Sequence, residues 1–160
     1  MNDPHPHEAP GDSPLRRALP GFRWERVDEM RYKTEGSAPF RDVTRQVLFH
    51  ETELHCEWRY FEVAAGGHST LERHEHAHAV MILRGRGRCL VGARLYDVTE
   101  HDLITVPPLT WHQFRAAADV PLGFLCLVNK ERDRPQLPDA QALAQLRGDP
   151  AIADFIRVGG

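Results

Sequence analysis

One short stretch of the chain concentrates most of its chemically active side chains. Residues 66–85 place Glu72, His74, His76 and His78 at alternate positions. Successive side chains of an extended chain point to opposite faces, so a strand here would carry all four on one face. Imidazole and carboxylate together suit first-row divalent metals. Three ligands from this stretch, with a fourth from elsewhere, therefore predict a mononuclear metal site with room for a substrate.

Composition limits the classes of partner that the chain can bind. Its 160 residues are enough for one compact domain, and 41% are apolar, which is enough for a core. A formal net charge of −3 gives no electrostatic reason to expect nucleic acid or an anionic membrane as a partner. No apolar run approaches the roughly 18 residues of a membrane span, and the N-terminus has no apolar signal core. A small-molecule substrate is the expected partner.

Cysteine usage indicates the compartment. Cys56, Cys89 and Cys126 are odd in number, far apart and form no C-x-x-C pair. Each lies in an apolar run of β-like composition, which predicts buried free thiols. Free thiols fit a reducing environment, so we expect a cytoplasmic protein.

Periodicity divides the chain into three parts. Residues 1–20 are rich in proline and lack periodicity, which predicts a flexible tail. Residues 21–136 contain short runs rich in β-branched and aromatic residues with regular turn signals, the pattern of an all-β sandwich or barrel. Within this part, residues 21–42 predict one or two edge strands and a covering arm. Residues 137–160 predict two short helices, at 140–146 and 149–156, on the outside of the barrel.

The strands of the barrel are expected to be short. Turn signals are found at 66–67, 85–87, 92–93 and 100–102, and Pro107-Pro108 interrupts a ladder because proline lacks a donor. The strands predicted between these signals are 44–50, 57–64, 69–74, 79–83, 88–91, 95–98, 103–106, 111–116 and 122–128.

The histidine-rich stretch resembles the first motif of the cupin family, which is Gly, five residues, His-x-His, three or four residues, Glu, six residues, Gly. Here five residues separate Gly66 from Glu72, His74 follows, three residues lead to His78 and six more to Gly85. The spacing fits throughout, but two ligand types are exchanged. Glu72 stands where the first His is usual, and His78 stands where Glu is usual.

A second resemblance follows at the distance usual in cupins. The family's second motif is Gly, five residues, Pro-x-Gly, two residues, His, three residues, Asn, and Pro107 and His112 keep that spacing. His101, Leu109 and Ala116 replace the two glycines and the asparagine. The two motifs span residues 61–128, and together they identify the chain as similar to small single-domain metal-binding cupins.

The resemblance implies an all-β fold, a single jelly-roll β-barrel with an N-terminal arm and short C-terminal helices. The metal ligands that it implies are Glu72, His74, His78 and His112. His76 then falls in a turn, where it is either a further ligand or a solvated or supporting residue. Fe, Mn, Ni, Co, Cu and Zn all accept such ligands, so the sequence does not distinguish among these divalent ions. Further side chains expected around the ligands are Trp58, Arg59, Tyr60 and Gln113.

Two other interpretations of these residues remain open. Glu72 would serve only as a salt-bridge partner if Arg59 or Arg73 lies beside it. The residues from His74 to His78 also satisfy H-E-x-x-H, the zinc-protease signature, with Glu75 as general base. That chemistry needs a helix, whereas the sequence that follows is rich in strand formers.

The expected function follows from the resemblance. Dioxygenase chemistry is common for a cupin site of three histidines and one glutamate, so a metal-dependent dioxygenase, an oxidoreductase acting on a small organic molecule, is the leading hypothesis. A non-redox isomerase or lyase and a non-catalytic small-ligand-binding barrel are the alternatives, since this scaffold hosts many chemistries. The strand at 79–83 is apolar on both faces, which predicts a homodimer in which the N-terminal arm is a candidate for exchange.

Overall fold

Strands are the main secondary structure of the computed structural model, which describes residues 15–33, 39–51 and 54–159. The strands are β1 (Ala18–Leu19), β2 (Arg23–Trp24), β3 (Met30–Arg31), β4 (Arg41–Glu51), β5 (Cys56–His68), β6 (His78–Val91), β7 (Arg94–Thr99), β8 (Leu103–Val106), β9 (His112–Ala116) and β10 (Leu122–Asn129). Two helices follow, α1 (Ala140–Leu146) and α2 (Pro150–Phe155). Most of the predicted tail, residues 1–14, lies outside the described residues. Among the described helices, none has the length and apolar character to cross a lipid bilayer.

Four strands close into a ring. β5 pairs with β10, β10 with β6, β6 with β9, and β9 with β5. β4 and β3 extend the sheet beyond β5, while β7 and β8 pair with β6. The closed ring confirms the predicted all-β barrel.

The interior of the barrel is filled by alternate residues of the ring strands. Phe61, Val63, Val80, Ile82 and Phe124 are each at most 7% exposed and belong to one buried cluster. Because successive side chains of a strand point to opposite faces, the intervening residues face the outside of the barrel. This alternation places the core inside the ring.

The two helices pack on the outside of the barrel, as predicted. Asp139 accepts a hydrogen bond from the Ala142 amide, and Asp149 caps α2, which has Pro150 at its first position. A second buried cluster lies between the helices and the barrel wall: Leu71, Leu90, Leu146, Ile152, Phe155 and Ile156.

Two glycine-rich turns predicted from the sequence are absent from the structure. β5 continues through Gly66 and Gly67, and β6 continues through residues 85–87. Gly85 has φ +71°, and a Cβ on it would overlap the carbonyl oxygen of Pro121. These glycines allow long strands to bend and neighbouring backbone to approach closely, which is a second use of the same residue type.

The predicted strand 69–74 is also wrong. After His68 the chain leaves the sheet and forms only single bridges, between Glu72 and His112 and between Arg73 and Gln136. The alternation that would place every even residue of the stretch on one face therefore does not apply here. The segment 69–77 is an irregular connection from β5 to β6, and its contacts with β9 position the side chains described below.

The N-terminal arm covers the outer face of β5. Phe22 stacks on Tyr60 with ring centroids 5.8 Å apart, and Trp24 meets the same ring edge-on at 5.2 Å. The tyrosine is 1% exposed as a result. All three cysteines are free, and Cys89 and Cys126 are buried as predicted, while Cys56 is half-buried.

Candidate metal centre

Glu72 and His112 reach the site together because their backbones pair. The amide of Glu72 donates to the carbonyl oxygen of His112 at 3.2 Å, and the amide of His112 donates back at 3.0 Å. Residues that are paired in this way in an antiparallel bridge present their side chains to the same face. The start of β9 therefore fixes the position of a residue from the irregular segment before β6.

The structure brings the four residues of the predicted ligand set to one end of the barrel. The His74 ring centroid lies 4.2 Å from that of His78 and 4.8 Å from that of His112, and the last two are 5.5 Å apart. The candidate ligand atoms of Glu72, His74 and His112 all lie within 4.8 Å of one another. We call Glu72, His74, His78 and His112 the imidazole cluster.

Hydrogen bonds fix the orientation of two of these rings. Nδ1 of His74 lies 2.7 Å from the carbonyl oxygen of His76, and Nδ1 of His112 lies 2.9 Å from that of Thr110. A carbonyl oxygen only accepts, so Nδ1 is the donor in each case and Nε2 keeps its lone pair. Such an outer hydrogen bond is the usual way in which a metal-binding histidine is oriented.

Two nitrogens of the cluster lack a protein partner. Nε2 of His74 and Nε2 of His78 are buried and have no hydrogen-bond partner in the described part of the chain. A buried polar atom is normally satisfied, and an orphaned imidazole nitrogen costs free energy unless something binds it. Imidazole nitrogens with one carboxylate form a donor set that suits a first-row divalent ion, and such an ion would bind the unshared lone pairs of these two nitrogens.

Burial keeps the three rings neutral. Removal from water lowers the pKa of His74 to about 4, with the neighbouring His112 and His76 acting in the same direction. Burial also lowers the pKa of His78 and of His112 below the ordinary value. Neutral imidazole is the form that binds a cation.

Glu72 is held by two residues that the sequence analysis did not identify. The hydroxyl of Tyr32 donates to its Oε1 at 3.2 Å, and Nζ of Lys33 forms a salt bridge with its Oε2. Burial, and then the neighbouring Glu72 carboxylate, raise the pKa of Tyr32, which keeps the phenol protonated as a donor. The salt bridge to Arg59 or Arg73, considered above, is not the one that forms, because Lys33, two residues after the end of β3, reaches the carboxylate instead.

His76 lies in a bend, as the motif spacing predicted, but it is not solvated. Its side chain is 7% exposed, its ring stacks on His74 at 3.8 Å, and Nδ1 lies 2.7 Å from Oδ1 of Asp133. The ligand atoms of His74, His76 and His78 also lie within 4.8 Å of one another. The ring therefore supports His74 from behind while its own Nδ1 is engaged by a carboxylate.

The zinc-protease interpretation is wrong. The residues from His74 to His78 form a bend followed by the first residue of β6, and no helix is present there. His74 and His78 nevertheless face one another, because the bend rather than a helical turn brings them together.

A small cavity opens beside the cluster. It has a volume of about 40 Å³, and its lining includes Glu72, His78, His112, Phe114 and Phe124. Sγ of Cys126 also lines it and lies 3.4 Å from Nδ1 of His78. Burial raises the pKa of this thiol to about 12, so it stays protonated.

A larger cleft elsewhere does not compete as the candidate site. Its volume is about 530 Å³, but it lies on the outer wall beside α2, lined by Arg86, Arg88 and Arg115. Arg86 pairs with Asp119 and Arg88 with Asp97, while Arg115 donates to the carbonyl oxygen of Phe155. These cations are already partnered, and the imidazole cluster is elsewhere.

Of the four side chains expected around the ligands, three point away from them, and only Arg59 shares the barrel interior with them. Gln113 is buried but bonds Ser69 and Arg157 on the helix side, and Tyr60 donates to Glu62 on the outer face. Trp58 is 48% exposed. Arg59 faces the barrel interior, where it pairs with Glu57.

A closed β-barrel that gathers imidazole and carboxylate groups at one end is the architecture of the cupins, and this chain belongs to that superfamily. The family model described as "Cupin domain" matches residues 59–128.

Relatives and solved structures show the same class of protein. The chain is 59% identical over 145 residues, 91% of its length and 93% of the relative's, to 1-methylthio-D-xylulose 5-phosphate methylsulfurylase of Rhodospirillum rubrum. A crystal structure of a cupin 2 conserved barrel domain protein from Rhodopseudomonas palustris is 60% identical, with a TM-score of 0.86, covering 90% of this chain and 99% of that one. A cupin-2 domain structure from Rhodospirillum rubrum is 59% identical, with a TM-score of 0.80, covering 89% and 96%.

Proposed function

We propose that this protein is a metal-dependent enzyme that acts on 1-methylthio-D-xylulose 5-phosphate, the compound in the name of its 59%-identical relative. One observation carries the proposal of a metal-dependent activity. The buried Nε2 atoms of His74 and His78 have no partner among the described residues and lie at the end of the barrel where a cavity opens. The identity to a curated enzyme over most of both chains supports the substrate.

The imidazole cluster would hold the ion. His74, His78 and His112 would each contribute one nitrogen, and Glu72 a carboxylate oxygen. A bound divalent ion supplies Lewis acidity toward an oxygen of the substrate. The ketose in the relative's name has a carbonyl oxygen beside the sulfur-bearing carbon, which suits that chemistry.

The protein's own side chains prepare the reacting end of the substrate. A cavity of about 40 Å³ is close to the volume of one water molecule, so only one end of a larger substrate enters it. Its apolar lining, which includes Val80, Phe114 and Phe124, excludes water and strengthens electrostatic contacts. Tyr32 and Lys33 hold Glu72 in a defined orientation, and Cys126 remains a neutral thiol beside His78.

The direct test is turnover of the named compound. The metal-loaded protein, mixed with 1-methylthio-D-xylulose 5-phosphate and a small thiol as sulfur acceptor, should consume the compound, which we would follow by proton and phosphorus NMR. Removal of the metal by a chelator should abolish consumption, and its return should restore it. Binding of the compound without consumption under any metal would support a non-catalytic barrel instead.

A dioxygenase remains the second candidate, favoured by the set of three histidines and one glutamate. The iron-loaded protein would then consume oxygen in proportion to substrate in an electrode measurement. Equal turnover under air and under argon would remove this candidate and leave the non-redox chemistry.

We also propose a homodimer formed through the outer face of the barrel. Phe49, Trp58, Leu127, Met81 and Leu103 are between 37% and 74% exposed. Cross-strand pairing joins Phe49 to Trp58, Trp58 to Leu127, and Met81 to Leu103. Contiguous apolar patches on monomers are limited in size, which supports a second copy as the cover. Light scattering should give twice the monomer mass, and a mass of one chain would remove the proposal.

A further inference from the structure

A row of side chains on the neighbouring strands β6, β10 and β5 connects the imidazole cluster with Arg59. Cys126 on β10 touches His78 and is paired in register with Arg59 on β5. Paired residues share a face, and Cys126 is buried in the interior cluster, so Arg59 also faces inward. Arg59 and His78 are two strand spacings apart, or roughly 10 Å.

Two more guanidinium groups converge on Arg59. Arg45 on β4 is paired with the core residue Phe61, which places it on the inner face. Arg132, just after β10, donates to Oε2 of Glu57 at 3.2 Å, and Nε of Arg59 donates to the same oxygen at 2.7 Å. We call Arg45, Arg59 and Arg132, with the Glu57 carboxylate among them, the guanidinium cluster.

The guanidinium cluster is not neutralised by the residues described around it. Glu57 contacts Arg59 and Arg132 and attracts Arg45 electrostatically, so among the described residues two of the three positive charges have no carboxylate counterpart. Nε of Arg45 is buried and has no hydrogen-bond partner within the described residues. Burial, and then the charge of Arg59, lower the pKa of both Arg45 and Arg132. Like charges held together in a poorly solvated place favour the binding of an anion.

The geometry points to the guanidinium cluster as the binding site for the phosphate group of the substrate. The substrate itself rests on the proposed function, whereas the preference for a phosphate monoester rests on the cluster. Guanidinium groups form paired, fork-like hydrogen bonds with phosphate oxygens, and two positive charges without a counterpart in the described part of the chain match a phosphate dianion. A separation of roughly 10 Å suits an extended pentulose 5-phosphate, whose far end would then reach the cavity beside His78.

Calorimetric titration of the full chain with D-xylulose 5-phosphate and with D-xylulose tests this site without any turnover. The phosphate ester should bind at least about 100-fold more tightly than the free sugar. Arg45→Gln should weaken binding of the ester about 10- to 100-fold, as expected for loss of a charged hydrogen-bond donor. Its affinity for the free sugar should be that of the wild type. Arg94→Gln, at the exposed first residue of β7, is the matched control and should bind the ester as the wild type does.

Arg132→Gln provides a second variant if Arg45→Gln does not fold, as judged by thermal melting, and it should weaken the ester in the same way. Equal affinity of wild type and either folded variant for the ester would overturn the inference, as would a wild type that does not distinguish ester from sugar. Failure of the proposed function looks different. The ester would then bind through the guanidinium cluster while the methylthio compound is never consumed.

Discussion

The imidazole cluster and the guanidinium cluster both face the barrel interior, and burial lowers the pKa of side chains in both, yet only the imidazoles become neutral. Burial lowers the pKa of His74 to about 4 and lowers that of His78 as well, so these rings stay neutral and offer lone pairs. A guanidinium keeps its proton even when partly buried, so Arg45 remains a cation although burial lowers its pKa. A single desolvated surface thus presents neutral donors for a cation beside fixed positive charge for an anion.

The largest effect should come from removing one member of the imidazole cluster. His112→Ala removes an imidazole ring whose orientation is fixed by the contact between its Nδ1 and the carbonyl oxygen of Thr110. The variant should retain less than about a tenth of the metal and lose activity at least about 100-fold. Elemental analysis of the purified protein measures the metal directly. His101→Asn, at an exposed turn residue with positive φ that asparagine tolerates, is the control. Full metal content in His112→Ala would show that this residue is not a ligand.

Substitutions of Glu72 and of its ion-pair partner Lys33 should change the metal affinity in opposite directions. Glu72→Gln removes a carboxylate that attracts the ion and should weaken metal binding at least about tenfold. Lys33→Met removes a positive charge that is paired with the same carboxylate and should tighten metal binding by up to about tenfold. Competition with a fluorescent chelator measures both affinities. Equal affinities in the two variants and the wild type would mean that Glu72 only anchors the N-terminal arm.

Glu57 should matter more for stability than a carboxylate on the other face of the same strand. Glu57→Gln leaves Arg59 and Arg132 without their shared acceptor and should cost about 2 kcal/mol of the free energy of unfolding. Glu62→Gln, which breaks the more exposed pair with Arg84, should cost less than about 1 kcal/mol. Urea denaturation compares the two. A cost at Glu57 no larger than at Glu62 would mean that the guanidinium cluster does not need its carboxylate in the folded state.

The barrel could be predicted because two local patterns agree with it. Short alternating runs indicated strands, and β8 at Leu103–Val106 and α1 at Ala140–Leu146 have the predicted bounds. The errors at Gly67 and Gly85 have a physical reason. Glycine marks tight turns and also close backbone approach, and only the distant carbonyl oxygens of Arg41 and Pro121 decide between them.

Motif spacing predicted which residues meet in the imidazole cluster, although the segment that carries them is not the strand expected. The supporting residues could not be predicted in this way. Tyr32 precedes Glu72 by 40 positions, and Asp133 follows His76 by 57, so folding alone brings them together. Arg59 was among the side chains expected around the ligands. Large side chains occupy both odd and even positions of β5, so the sequence alone does not show which face of the strand carries Arg59. Its pairing with the interior residue Cys126 does.

His68 is a buried imidazole close to three guanidinium groups outside the two clusters, so it tests how burial and nearby positive charge together affect a histidine. Its ring is 5% exposed and donates from Nδ1 to the carbonyl oxygen of Ser69. Burial lowers its pKa, partly offset by that hydrogen bond, and the charges of Arg41, Arg115 and Arg157 lower it further. The unfolded chain therefore takes up this proton near pH 6.5, while the folded protein resists it until a lower pH. Stability contributed by neutral His68 is present above pH 6.5 and is lost as the pH falls toward the folded pKa.

His68→Gln keeps an amide donor for Ser69 but cannot titrate, so its unfolding free energy should fall less steeply between pH 7 and pH 5 than that of the wild type. Urea denaturation at each pH measures the slope, and this is the smallest of the four effects. Both proteins must be compared in the same metal state, because the imidazole cluster then contributes equally to each and cancels. A slope unchanged by the substitution would mean that the buried His68 ring accepts a proton as readily as one in water, despite the nearby guanidinium charges. Burial alone would then not explain why the rings of the imidazole cluster stay neutral.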